Sequence, residues 1–269
     1  MSQQPPRAEI TRKPVLCQIS GMDAVRVRCD VPYRTTSAGI LTMDLYLPPG
    51  LPSGSGRPAV IFVSGYSDVG IEAMLGSKLK EWESYIGWGK LTAASGLVGI
   101  TYSATEPAGD VAALVEHIRH DADSLGIDQS RIALWACSGN VPLALSLLIE
   151  QAAFRCAVFC YGYTLDPDGS TGVKDAARTY GFANPSAGRS VADLPPETPL
   201  FVVRAGQDQL PHLNRTMDQF LAQALARNLP ITFVNHATGP HAFDLFDDSE
   251  TTREIVRQIL SFLSVHLSR

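Results

Sequence analysis

Short, almost wholly apolar runs alternate along this chain with longer stretches in which apolar residues return at helical spacing. The runs are 59–63 (AVIFV), 98–102 (VGITY), 132–135 (IALW), 156–160 (CAVFC), 200–203 (LFVV) and 231–234 (ITFV). Continuous apolar runs of this length mark strands covered on both faces. Between them, 110–125 carries Val111, Leu114, Val115, Ile118 and Ala122 on one stripe, with Asp110 placed as the N-cap. Stretches 141–152, 214–227 and 251–267 have the same character. Nearer the N-terminus, 24–31 and 41–47 (LTMDLYL) alternate apolar and polar residues, as antiparallel strands at a sheet edge do. The pattern predicts an α/β fold: one doubly wound, mostly parallel sheet, helices on both faces, and antiparallel N-terminal edge strands. Right-handed crossovers then place the functional loops at the carboxyl ends of the strands.

Three segments interrupt the alternation. The stretch 47–58 (LPPGLPSGSGRP) is a Pro-, Gly- and Ser-dense loop, too short to link domains. Segments 67–90 and 162–199 are long for connections in an α/β domain, and the first holds Trp82, Tyr85 and Trp88. Loops of such length serve as pocket or cap elements, or as irregular packing over the sheet edge. The expected organisation is an N-terminal extension, 1–22, and one domain, 23–269.

Composition narrows the class. A chain of 269 residues, 45% hydrophobic and 18% charged, buries a core without metal or disulfide staples. The net charge is −5 and the 22 basic residues form no run, which argues against a nucleic-acid partner. No stretch approaches the roughly 18 apolar residues of a membrane helix. The polar, Pro-rich start MSQQPPRAEITRKP lacks the apolar region of a secretory signal. The odd set of cysteines, Cys17, Cys29, Cys137, Cys156 and Cys160, fits free thiols in a reducing compartment, so a cytoplasmic location is expected. No Gly-rich phosphate motif and no metal-ligand spacing is present, so neither a cofactor nor a metal is expected. A homodimer is left open.

Candidate chemistry begins at RIALWACSGN, 131–140, where an apolar strand ends in a corner of small and polar residues and passes into a helical stretch. Such a corner is a plain turn with a capping Ser, or the place where a nucleophile is held out. A strand-to-helix elbow wants small residues two before and two after its nucleophile; here Ala136 and Asn140 flank Ser138. For Cys137, the alternative nucleophile, bulky Trp135 stands at a small-residue position. Serine needs a base, and the base needs an orienting carboxylate. RAGQD, after the run LFVV, offers Asp208; NHATGPHAFD, after ITFV, offers His241. VSGYSD, after AVIFV, is a small-residue turn whose N–H groups can face a developing oxyanion.

These motifs, with LTMDLYLPPG at the edge, resemble the α/β-hydrolase superfamily, and within it the esterase and dienelactone-hydrolase-like members, over roughly 33–266. The resemblance implies Ser138 as nucleophile, His241 as general base and acid, and Asp208 as the orienting carboxylate. The oxyanion donors would be the backbone N–H of Gly139 and that of Tyr66 or its neighbour Gly65. It implies hydrolysis of a small carboxylic ester, with activity falling as pH drops through about 6–7. The alternatives are an acyltransferase, cyclase or lyase-like enzyme using the same three side chains, or a non-catalytic binding protein on the same scaffold.

Other polar residues compete for these roles. His236 lies five residues before His241 and is a second possible base. His212 reads as a loop or capping residue, and His117 and His120 as solvated positions on a helix. Asp166 and Asp168 follow CAVFCYG, where some hydrolases seat the acid, so Asp166 is the runner-up to Asp208. Asp244, Asp247 and Asp248 are expected to open the last helix, where negative charge suits the dipole.

Overall fold

A computed structural model describes residues 10–50, 56–151 and 154–268. The Pro-rich start of the chain, the middle of the 47–58 loop and the expected end of the 141–152 helix fall outside these residues. The strands are β1 (Arg26–Thr36), β2 (Gly39–Leu47), β3 (Arg57–Phe62), β4 (Val98–Tyr102), β5 (Ile127–Cys137), β6 (Cys156–Cys160), β7 (Leu200–Ala205) and β8 (Ile231–His236). They form one sheet in the order β1-β2-β4-β3-β5-β6-β7-β8. β1 pairs with β2 and β2 with β4 antiparallel, and every later pairing is parallel.

Helices cover both faces: α1 (Asp68–Leu75), α2 (Glu83–Ala94), α3 (Pro107–His120), α4 (Ala122–Leu125), α5 (Val141–Glu150), α6 (Val173–Tyr180), α7 (Leu213–Ala226), α8 (Phe243–Phe246) and α9 (Glu250–Leu267). No helix among the described residues is long and apolar enough to cross a membrane.

The continuous apolar runs acquire their meaning from the strand period of two. In β5, Ile132, Leu134 and Ala136 enter one core with α3, α5 and α7, while Ala133 and Trp135 enter the other with α2 and α9. In β6, Ala157 and Phe159 face the first core, and Cys156, Val158 and Cys160 the second. The two cysteines four apart thus share a face, buried and free. Val15 and Cys17, from the N-terminal segment, are buried in the second core.

Two boundaries differ from the sequence expectation. The 110–125 stripe is split at Asp121 into α3 and α4, and α3 starts at Pro107, whose fixed φ suits a first helical turn. Asp110 is therefore inside the first turn rather than at the N-cap. From there its carboxylate reaches back to accept from the N–H of Thr105 (2.6 Å) and Glu106 (2.7 Å), and it takes an ion pair from Arg34 (2.6 Å).

The sheet reverses its winding between β3 and β5. The chain steps from β3 to β4 on one side, then crosses to place β5 on the other side of β3. Phe62 pairs with Trp135 at the carboxyl end, so the turns after β3 and β5 leave the sheet side by side. Such a switch point opens a crevice between two diverging connections.

One helix lies unusually close to the sheet. A Cβ on Gly89 of α2 would stand 2.5 Å from the buried Tyr46 ring, and one on Gly99 of β4 would stand 3.0 Å from Gly89. Gly89→Ala should cost about 1–3 kcal/mol, read as a lower urea midpoint. Gly109→Ala, where the nearest atom is 3.6 Å away, should shift stability by less than about 1 kcal/mol.

Candidate active site

β5 delivers Cys137 and then Ser138, whose φ of +54° is left-handed in a non-glycine residue. Ser138, Gly139 and Asn140 form one 3-10 turn before α5. The neighbouring residues are small because backbone and rings close in around this turn. A Cβ on Gly139 would lie 2.4 Å from the Tyr66 hydroxyl and 2.6 Å from the Phe182 ring. Ala136 is fully buried in the first core. The backbone strain aims the Ser138 side chain away from the sheet and toward the loop after β8.

That loop carries His241, and the loop after β7 carries Asp208. The two loops are stitched together: Gly206 N–H donates to His236 O (2.8 Å) and Gln207 N–H to Gly239 O (2.9 Å). A Cβ on Gly206 would stand 2.3 Å from Ala237 O, so only glycine permits this crossing. Ser138 Oγ lies 3.0 Å from His241 Nε2, and His241 Nδ1 lies 2.6 Å from Asp208 Oδ2. The Asp208 side chain is fully buried, and its other oxygen accepts from Leu210 N–H at 2.9 Å. An ionised carboxylate only accepts, so Nδ1 carries the imidazole proton and Nε2 presents a lone pair to the serine hydroxyl. The three residues singled out in the sequence therefore form one continuous hydrogen-bonded line.

The turn after β3 lies beside them. Gly65 N–H donates to Asn140 Oδ1 at 2.7 Å, and Gly65 O accepts from Ala183 N–H at 2.7 Å. The N–H of Gly65, one of the two alternatives offered by this turn, is thus engaged by Asn140. Asp68, next along, is buried at the start of α1, and burial lifts its carboxyl to about 6.

The other candidates lie apart. His236 is buried and bonded to Asp247 (2.7 Å) and Thr252 (3.0 Å), away from the serine. His212 is the N-cap residue of α7. His117 and His120 pair with Asp121. Asp166 spends its carboxylate within its own loop, on Thr171 Oγ1 at 2.6 Å, and the fully exposed Asp168 does likewise on Ser170.

The expectation that Asp244, Asp247 and Asp248 open the last helix fails. α9 starts at Glu250, and the Ser249 hydroxyl caps it by accepting from Thr252 N–H (3.2 Å). A serine beside the first turn satisfies the free amides more directly than carboxylates further upstream. Asp247 instead bonds Ser249, Thr252 and His236. Asp244 lies inside α8, fully enclosed, accepting from Trp88 Nε1–H (2.8 Å) and the Tyr161 hydroxyl (2.6 Å). Burial pushes this carboxyl above its ordinary range despite those two donors. Tyr161, at φ +36°, packs edge-on against the His241 ring. Neither role was readable in the sequence, because GPHAFD shows only an acidic residue near a helix start.

A cavity of about 320 Å³ opens at Ser138. Its walls come chiefly from the two long segments: Leu79, Trp82, Tyr85 and Trp88 on one side, Tyr163 and Phe182 on the other. Trp82, Tyr85 and Trp88 serve as both pocket wall and core, since all three also belong to the second core.

The fold matches that of solved structures. One is an α/β hydrolase enzyme from the metagenome of Lake Arreo, Spain, at 16% identity and TM-score 0.68, covering 93% of this chain and 87% of that one. A second is an α/β hydrolase enzyme from a Medee basin deep-sea metagenome library, at 16% identity and TM-score 0.67, covering 91% and 99%. A third is a thermophilic esterase from the Planctomycetes species Thermogutta terrifontis, at 14% identity and TM-score 0.66, covering 97% of both. This chain has the α/β-hydrolase fold. No family model matches its sequence, and no curated protein does. At such low identity the α/β-hydrolase frame speaks for architecture, and the chemistry has to be argued from the side chains.

Two predictions follow from the local electrostatics. Burial lifts the Cys137 thiol to about 12, so at pH 8 it should resist iodoacetamide while exposed Cys29 reacts, read by peptide mass mapping. Asp68 has a folded pKa above its ordinary 3.8, so the folded state holds the proton more tightly than the unfolded chain. Its stabilising share is present below about pH 4 and lost as pH rises through 6. Asp68→Asn should therefore match the wild type near pH 4 and exceed it by about 1–2 kcal/mol at pH 8 in urea melts, allowing for solvent screening.

Proposed function

We propose that this chain is a serine hydrolase that cleaves a small carboxylic ester through a Ser138 acyl-enzyme. The observation that carries the reading is the line from Ser138 Oγ to His241 Nε2 (3.0 Å) and from His241 Nδ1 to Asp208 Oδ2 (2.6 Å), at the mouth of an apolar cavity.

The hydroxyl is a weak nucleophile until a base takes its proton. Ser138 Oγ bonds the ester carbon as its proton passes to Nε2, and the carbonyl electron pair moves onto oxygen. That oxygen develops charge against the N–H groups of Gly139 and Tyr66. The tetrahedral adduct collapses, the alkoxide leaves, and Nε2 returns the proton to it. Water then repeats the sequence: it gives a proton to Nε2, attacks the acyl carbon, and Ser138 departs with that proton. Asp208 keeps Nδ1 protonated throughout and stabilises the imidazolium between the two transfers. The enclosing aromatic and aliphatic walls suit an apolar acyl or alcohol group, and the esterase descriptions of fold neighbours point to the same class of substrate.

A fluorophosphonate probe should add one label to the wild type and none to Ser138→Ala, read by intact mass. Hydrolysis of p-nitrophenyl butyrate should fall by at least about 10³-fold in Ser138→Ala and in His241→Ala. Labelling that survives Ser138→Ala overturns the assignment.

A further inference from the structure

The elbow carries Asn140 where an elbow motif of this type has its second glycine, and the structure gives this residue unusual work. It stands at the N-cap position of α5, where an asparagine ordinarily accepts from the first free helical amides. It makes no such bond. The side chain is buried, and both its ends reach other segments. Oδ1 accepts from Gly65 N–H at 2.7 Å, and Nδ2 donates to the Tyr85 hydroxyl at 2.9 Å.

Gly65 is the residue before Tyr66. With no side chain, its backbone has wide freedom unless something outside it fixes φ and ψ. No bulk can be added there, because a Cβ on Gly65 would stand 2.9 Å from Gly139 O and 3.1 Å from Asn140 Cα. The two turns touch backbone to backbone, so the restraint on Gly65 has to be a hydrogen bond. Its carbonyl is held by Ala183 N–H, and its N–H by Asn140. A glycine at position 140 would leave that buried N–H unpaired, at a cost the turn can relieve only by rotating.

We propose that Asn140 is a positioning residue: it latches the Gly65–Tyr66 turn to the Ser138 elbow so that the Tyr66 N–H points at the developing oxyanion. Through Nδ2 the same amide ties that turn to Tyr85 in the pocket wall. The inference rests on the oxyanion roles given above to Tyr66 and Gly139. It also accounts for the residue type, since alanine, serine and glycine all lack the reach or the paired donor and acceptor.

The test measures the rate of Ser138 phosphonylation by a fluorophosphonate probe, with kcat and KM for p-nitrophenyl butyrate, on the wild type, Asn140→Ala and Tyr85→Phe. Asn140→Ala should slow labelling and lower kcat together by about 10- to 100-fold, somewhat less than removal of an oxyanion donor, with KM within about threefold. Tyr85→Phe changes no residue of the elbow, removing only the Asn140 Nδ2 bond and a weak 3.9 Å contact to Cys137 Sγ, and it frees one end of the amide; labelling should slow by about three- to tenfold. Folded Asn140→Ala that labels within twofold of the wild type overturns the inference and leaves the serine assignment standing. If Asn140→Ala does not fold, Tyr85→Phe labelling at the wild-type rate overturns it in the same way. Wild type that takes no label removes both.

Discussion

The close parallel pairing of β3 with β5 is the constraint from which the site follows. Ile61 against Leu134 and Phe62 against Trp135 bring the two strand ends level, on either side of the point where the winding reverses. Both connections must leave at the same place, and there is room for neither side chain at Gly65 nor at Gly139. The strained φ of Ser138 is tolerated because this packing over-determines the turn: apolar layers lie on both faces of β5, α5 begins at Val141, and Gly162 passes so close that a Cβ there would meet Val141 at 2.2 Å. β7 and β8 then only have to deliver an acid and an imidazole from the next two switch-side loops.

Much of this was legible in the chain, and the reason is periodicity. AVIFV, VGITY, IALW and CAVFC read as doubly covered strands because burial on both faces leaves few polar residues, a signal local in sequence; ITFV looked the same but forms the edge strand β8, where Thr232 and Phe233 are exposed. The order Ser138, Asp208, His241 could be read because each residue sits just past an apolar run, and a parallel sheet sends all such positions to one end. What could not be read depends on contacts between distant segments. Asp244 looked like a helix-opening acid because its true donors, Trp88 and Tyr161, lie 156 and 83 residues away. Asp110 looked like an N-cap because the apolar stripe begins at Val111, although Pro107 already marks a first helical turn; what the sequence hides is the carboxylate's turn back and its ion pair with Arg34, 76 residues away.

Beneath the cavity most polar side-chain atoms are paired, although Trp135 Nε1 is buried without a partner among the described residues, and the cavity itself gives the reason for the pairing. Its walls are apolar, so any donor or acceptor left open there would carry a desolvation penalty of about 1–3 kcal/mol. Asn140, Tyr85, Tyr161, Asp244 and Trp88 accordingly bond one another or the nearby backbone in two short chains. The first runs from Gly65 through Asn140 to Tyr85, and the second from Tyr161 through Asp244 to Trp88. Each ends on a ring of the pocket wall, so the same contacts that satisfy the polar groups also set the shape an apolar ligand meets.

Two nucleophile types sit side by side at 137 and 138, and environment, rather than intrinsic reactivity, separates them. Thiolate is the stronger nucleophile, yet Cys137 lies against the second core with only weak sulfur contacts, 3.9 Å to Tyr85 and to Asn140. Burial raises its pKa, and the buried Asp244 carboxylate adds to the penalty on its anion. The next residue turns through positive φ, leaves the core and meets His241. One peptide unit thus carries the side chain from a place where ionisation is suppressed to a place where a proton acceptor is already aligned. Under the proposed function, a hydroxyl in the second position is activated where a thiol in the first is not, because proton removal there needs no prior ionisation. The same logic fixes what a Ser138→Cys exchange would test: the thiol would gain the base that Cys137 lacks, with no other atom moved.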